Sequence, residues 1–313
     1  MTAFPAVPRQ RIIVDNDFSG DPDDLVQMAH HALSPAVDIR LVIGSHLSPG
    51  DPFDPSETQA DNAAAIASDL LSSMGRDDIP VLAGAQNAIP DRGTPHDTAA
   101  ARAIIAEAMR DDTDLPLVFC AGAGLTELAS ALLLEPRIAE RMTLVWIGGV
   151  EHDGLAVPPP DASPVEYNLA IDVAAAQVVF DSAVPIWQVP RDAYRQVLVS
   201  ADEIDLRIRP HGALGARLAD AISRVAEIAA GHGLPLGETY ALGDSPLVLL
   251  TSLRSSFQAD PSSSDYVLVP RPAIRDDGGY ASRPERAPIR VYRRLDVRLL
   301  LEDLYAKLQR AAA

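Results

Sequence analysis

Short apolar runs of four or five residues recur along the chain, at 11–14, 39–43, 79–82, 117–120, 143–147 and 185–189. Between them, at 23–33, 58–73, 98–109, 125–134 and 172–181, apolar positions return every three or four residues. Leu25, Met28, Ala29 and Ala32, for example, fall on one face of a helix. Strands alternating with helices predict an α/β fold, with an open, mostly parallel central sheet flanked by helices. Residues 201–233 carry a further amphipathic helical pattern, and the tail offers a strand at 289–292 and a helix at 296–308 that docks back. Two Pro- and Asp-rich stretches, 48–56 and 157–164, read as surface rims, and 260–265 as a turn. No repeat and no long linker interrupts the pattern, so residues 1–313 are expected to form one domain.

Composition narrows the partners. Hydrophobic residues make up 47% of the chain, enough for a sizeable core, yet no apolar run nears the ~20 residues of a membrane span. The first residues lack the charged and apolar pattern of a leader, and Cys120 is the only cysteine, so a reducing cytoplasm is expected. A net charge of −18 opposes nucleic-acid binding, leaving small molecules, metal ions or further copies of the chain. Lys307, in the last predicted helix, is the only lysine, which excludes chemistry built on a central lysine.

The chemistry concentrates after the first strand, where Asp15, Asp17, Asp21, Asp23 and Asp24 place five carboxylates within ten positions. Helix capping uses one Asp, and Asp23 and Asp24 at a helix start suit the macrodipole, but five acids repel one another unless a cation sits among them. Hard oxygen donors without Cys or His favour Ca²⁺ or Mg²⁺ over zinc.

The stretch resembles the opening of the calcium-dependent, inosine-uridine preferring nucleoside hydrolases: a strand, Asp15-Asn16-Asp17, a glycine-bearing turn, then Asp23-Asp24. The resemblance continues in order through Asp61-Asn62, Pro80 to Gly84, Gly122 to Ala129, Leu134 to Arg137, Trp146 to Gly149, Glu166-Tyr167-Asn168 with Asp172, and Gly243-Asp244. It implies a Rossmann-like core, a homodimer or homotetramer, and hydrolysis of a ribonucleoside to ribose and base. Asp17, Asp24 and Asp244 would be side-chain ligands of Ca²⁺, with the carbonyl of Gly122. Asp17 would also take the proton of the attacking water, while Asp23, Glu166, Asn168 and Asp244 would hold the sugar. Glu166 and Asn168 would share one side of an extended segment. Asp15 would support this shell.

The departures are equally specific. The turn at Phe18 to Pro22 is two residues longer than the family's, and Asp21 has no counterpart there. Gly243 stands where members place the histidine that protonates the leaving base, so His96 and Tyr240, with Tyr194, become candidate substitutes. Ser45-His46 and Pro160-Asp161 replace asparagines that contact the sugar, and His46 is a possible compensation. Trp146 reads as core; Trp187 lies nearer a strand end. Two alternatives keep the site: a calcium-dependent binder that lost turnover with Gly243, or a hydrolase of another N-riboside. A dehalogenase-like phosphoryl-transfer enzyme also starts with Asp-x-Asp but needs a lysine well after that motif to hold the phosphate, and Lys307 lies too close to the C-terminus and on the wrong kind of element.

Overall fold

The computed structural model describes residues 6–231, 233, 237–255, 257 and 262–313. The expected absence of a leader falls on residues outside this set. Six strands form the expected parallel series: β1 (Gln10–Asn16), β2 (Val37–Gly44), β3 (Val81–Ala83), β4 (Leu117–Ala121), β5 (Met142–Ile147) and β6 (Ile186–Val189). A ribbon pairs β7 (Leu198–Ser200) with β8 (Thr239–Ala241). Another pairs β10 (Ala273–Ile274) with β11 (Tyr280–Ala281). β9 (Asp265–Pro270) and β12 (Pro288–Arg294) complete an eight-stranded sheet of order β3-β2-β1-β4-β5-β6-β12-β9, antiparallel only at its β9 edge. The predicted turn at 260–265 is therefore partly strand from Asp265; 260 and 261 lie outside the described residues.

The helices connecting the parallel strands are α1 (Asp23–Ala32), α2 (Gln59–Ser73), α3 (Ala99–Ala108), α4 (Thr126–Leu134), α5 (Tyr167–Ile171) and α6 (Val173–Asp181). Short turns α7 (Arg191–Tyr194) and α8 (Ala201–Glu203) follow, then α9 (Gly212–Gly231), α10 (Pro246–Thr251) and α11 (Val297–Ala311). The single helix expected over 201–233 is broken. After α8 a π-helical stretch spans Ile204–Ile208, and Pro210, which lacks an amide donor, precedes Gly212 at φ 69° before α9 resumes.

Both faces of the sheet are covered, which explains why β1 reads as an unbroken apolar run: all seven of its residues are buried. Ile12 and Val14 pack under α1, α10 and α11, whereas Ile13 meets the opposite core of α3, α4 and α6. Trp146 is fully buried there, its ring edge-on to Phe180 at 5.8 Å.

Candidate functional site

β1 lies between β2 and β4, so the chain leaves the centre of the sheet in opposite directions at the β1/β4 boundary. The carboxyl ends of such strands open a crevice. Here it is a cavity of about 390 Å³ whose wall combines Asp17 after β1, Gly122 after β4, Ile147 at the end of β5 and Asp244 before α10. A larger cavity of about 720 Å³ lies beside Arg92 and Asp181, away from these strand ends.

Asn16 ties the crevice together. Its amide donates to Asp244 Oδ2 at 2.9 Å and to Gln27 Oε1 at 3.1 Å, while its Oδ1 accepts from the Gly122 amide at 2.8 Å. Gly122 is glycine for steric reasons: a Cβ there would come within 2.1 Å of Asp244 Oδ2 and 2.5 Å of Asn16 Oδ1. The Asp244 amide in turn donates to Asp23 Oδ2 at 3.0 Å, which fixes the acid at the start of α1 against the loop before α10.

The acids are crowded and dry. Burial, with the charges of Asp51, Asp21 and Glu166, pushes the Asp17 carboxyl up to about 8. Burial and mutual repulsion raise Asp23, Asp24 and Asp244 as well. Both oxygens of Asp24 and Oδ2 of Asp15 are buried without a hydrogen-bond partner; the other Asp15 oxygen accepts from Ser45. Such orphaned oxygens are costly, and a hard cation is the partner that satisfies them. The donor chemistry of Asp17, Asp24 and Asp244 therefore fits a calcium ion. Among the described residues, no three His, Cys, Asp or Glu side chains already converge as ligands.

The far wall departs from expectation. Glu166 and Asn168 do not share an extended strand: Glu166 caps α5 and Asn168 lies in its first turn. The Glu166 carboxylate accepts from the amides of Gly149 (2.7 Å), Leu169 (3.1 Å) and Asn168 (3.2 Å) and from the Tyr194 hydroxyl (3.0 Å). Its roughly four acceptor positions are thus filled. Asn168 spends both amide hydrogens on the carbonyls of Gly122 and Ile147, each at 2.8 Å, which leaves Oδ1 as its free acceptor.

Of the substitutes for the missing histidine, only Tyr194 reaches the cavity. His96 lies outside the lining, with Nε2 against the Ala88 carbonyl at 3.1 Å. The Tyr240 hydroxyl donates to Asp21, and Asp21, not Tyr240, faces the cavity. His46 is buried between the Leu47 carbonyl and Thr126. Trp146 donates to the Ala123 carbonyl within the core, and Trp187 packs on Arg290 and Tyr292 away from the site. The sequence reading missed Asn16, Asp51, Phe53 and Tyr167. The supposed rim at 48–56 folds in, so that Asp51 is buried and accepts from the Tyr167 hydroxyl at 2.5 Å. Asp51 three positions before another Asp in a Pro-rich loop carries the signature of a turn, and nothing local marks it as inward-facing.

In doubly wound α/β sheets the crevice at the switch point is where ligands bind, and the cavity here lies there. The chain belongs to the inosine-uridine preferring nucleoside hydrolase family, whose sequence model matches residues 12–257. It is 38% identical over 91 residues to the inosine-uridine preferring nucleoside hydrolase of Leishmania major, a match covering 28% of this chain and 27% of that protein. The chain thus spans only about a quarter of that relative's length. It is 24% identical over 219 residues to the pyrimidine-specific ribonucleoside hydrolase RihA of Citrobacter koseri, covering 62% of this chain and 65% of that one. Among solved structures it shares its fold with a purine-preferring ribonucleoside hydrolase from Gardnerella vaginalis, at a TM-score of 0.76 and 19% identity over 97% of this chain and 99% of that one. The plant nucleoside hydrolase PpNRh1 superposes at 0.74, with 20% identity over 96% and 99%.

Proposed function

We propose that the protein hydrolyses the N-glycosidic bond of a ribonucleoside, releasing ribose and the free base, with Asp17 as general base. The observation that carries the reading is that Asp17 and Asp244 line the switch-point cavity of a nucleoside hydrolase fold, with the orphaned Asp24 near enough to be repelled by Asp17. Asp17, Asp24, Asp244 and the Gly122 carbonyl would hold Ca²⁺, which when bound supplies the Lewis acidity that makes a water nucleophilic near neutral pH. Asp17 takes the proton from the water that attacks the anomeric carbon. Burial and the neighbouring acids raise its pKa, and a cation bound there would bring it down, leaving Asp17 ionised to accept that proton. Asp23 and the free Oδ1 of Asn168 accept sugar hydroxyls, and Glu166, its acceptor positions filled, acts by holding Tyr194 and the start of α5. Carboxylates facing the sugar stabilise the oxocarbenium-like transition state.

The test is ribose release from purine and pyrimidine nucleosides with Ca²⁺ present. Asp17→Asn is expected to lower kcat by ~10³-fold, and a chelator to do the same. A competing reading, a binder without turnover, is favoured by the bare backbone at Gly243; calcium-dependent nucleoside binding without ribose would establish it. The family likeness supports a homodimer or homotetramer, checked by sedimentation. The lone buried Cys120 supports a cytoplasmic setting, checked by localising a tagged chain.

A further inference from the structure

The cavity wall offers six carboxylates, of Asp17, Asp21, Asp23, Asp51, Glu166 and Asp244, and no Lys, Arg or His. The nearby Arg191 is committed to Glu151 through contacts of 2.6 and 2.9 Å. A divalent ion held by Asp17, Asp24 and Asp244 leaves Asp21 and Asp51 without a countercharge. They accept hydroxyl hydrogens from Tyr240 and Tyr167 and nothing cationic. A departing base meets no donor at Gly243 either. At Gly243 there is no side chain, and a Cβ would come within 3.0 Å of Asp23 Oδ2 and 3.4 Å of the Tyr194 ring. The Tyr194 proton, which could otherwise serve the departing base, is donated to Glu166. The wall thus offers carboxylates to a positive charge, while both of its tyrosine hydroxyls are already donated.

Both properties suit one kind of substrate. We propose that the preferred substrate is a riboside whose aglycone carries a fixed positive charge, such as a pyridinium or an N-alkylated heterocycle, seated against Asp21, Asp51 and the Tyr194 ring. This rests on the hydrolase reading above and names its substrate class. When the C1′–N bond breaks, its electron pair passes to the ring nitrogen and cancels the positive charge, so the base leaves neutral without a proton. Water adds its oxygen to C1′ and gives one proton to Asp17, then to solvent; the products are ribose, neutral base and H⁺. The aromatic face of Tyr194 adds a cation–π contact.

The experiment compares kcat/KM for ribosylpyridinium, inosine and uridine with the calcium-loaded full chain, in the parent, Asp51→Asn and Asp21→Asn. A neutral base that needs an absent acid is expected to lag by ~100-fold or more. Either variant is expected to shrink the pyridinium-to-inosine ratio by roughly 10-fold, through KM more than kcat. Asp21, at the cavity mouth, serves if Asp51→Asn disturbs its loop. Inosine or uridine turned over as well as the pyridinium overturns the substrate assignment and leaves the hydrolase reading intact. So does a ratio unmoved in both variants. Ribose from none of the three overturns the hydrolase reading itself.

Discussion

At the scale of single residues, the crevice keeps buried carboxylates at a cost in stability. Asp24 is fully buried with two orphaned oxygens, an arrangement that costs about 1–3 kcal/mol until something satisfies it. Asp24→Asn is therefore expected to raise the melting temperature of the metal-free protein while abolishing the rise that Ca²⁺ produces in the parent. That rise corresponds to about 2.7 kcal/mol at a hundredfold excess over Kd. Differential scanning fluorimetry with and without Ca²⁺ reads both effects, and a calcium shift preserved in the variant would remove Asp24 from the ligand set. Gly122→Ala is expected to fail differently: its Cβ would displace Asp244 and Asn16, so ribose release should fall by at least ~100-fold with little change in the far-ultraviolet circular dichroism. The acids of this crevice were legible because a strand ending in Asp-x-Asp followed by Asp-Asp is both unusual and electrostatically unreasonable alone. Asn16, the residue that links Gly122 to Asp244, was the unmarked middle position of that motif. An asparagine becomes informative only when its partners 106 and 228 positions away are in place.

At the scale of elements, α1 carries the site on one end and a buried polar seam along its length. His31 is enclosed between Gln27 and Thr251, and His30 pairs with Asp303 at 2.8 Å. Burial, then the neighbouring His30 and Lys307, hold His31 well below its ordinary value of 6.5; burial lowers His30 as well. A histidine kept neutral in the fold binds fewer protons than it does unfolded once pH drops below about 6.5, so its contribution is complete above pH 7 and is lost on acidification. The loss should be on the order of 1 kcal/mol per pH unit per histidine. The buried acids, raised by burial, contribute with the opposite sign, so the histidine share is read by comparison: between pH 7.5 and 5.5 the urea midpoint of His31→Gln is expected to lose less, or gain more, than that of the parent, and an identical change in both would place the titrating groups elsewhere. The sequence predicted α1 because its apolar face repeats over three turns. It missed α5, a five-residue helix too short to display a period, whose cap is Glu166 rather than a residue of the usual Ser, Thr, Asp or Asn kind. It missed β9 because Tyr266 to Val269 follow a Ser-rich turn and lie at a half-exposed edge, where no buried face imposes a pattern.

At the scale of the whole molecule, the sheet order decides where a ligand can act. The two halves of the sheet meet at the β1/β4 boundary, so Asp17 and Gly122 arrive from adjacent strands while Asp244 is delivered from some 120 residues later, by the loop before α10. The parallel core beneath is closed on both faces, with Ile12, Ile13 and Val14 fully buried, and supplies a base that does not deform when the crevice fills. If Asp17, Asp24, Asp244 and Gly122 hold a cation as proposed, it would pull together three loops and leave their strands in place. Hydrogen–deuterium exchange should then show Ca²⁺ slowing the amides of 17–20, 122–124 and 243–245 together. The β10–β11 and β7–β8 ribbons should exchange at unchanged rates, since each is a two-stranded unit outside the central sheet. Protection spread evenly over the molecule would mean that the ion acts by screening the net charge of −18, and protection confined to one of the three loops would break the link between Asp17 and Asp244 on which the proposed chemistry depends.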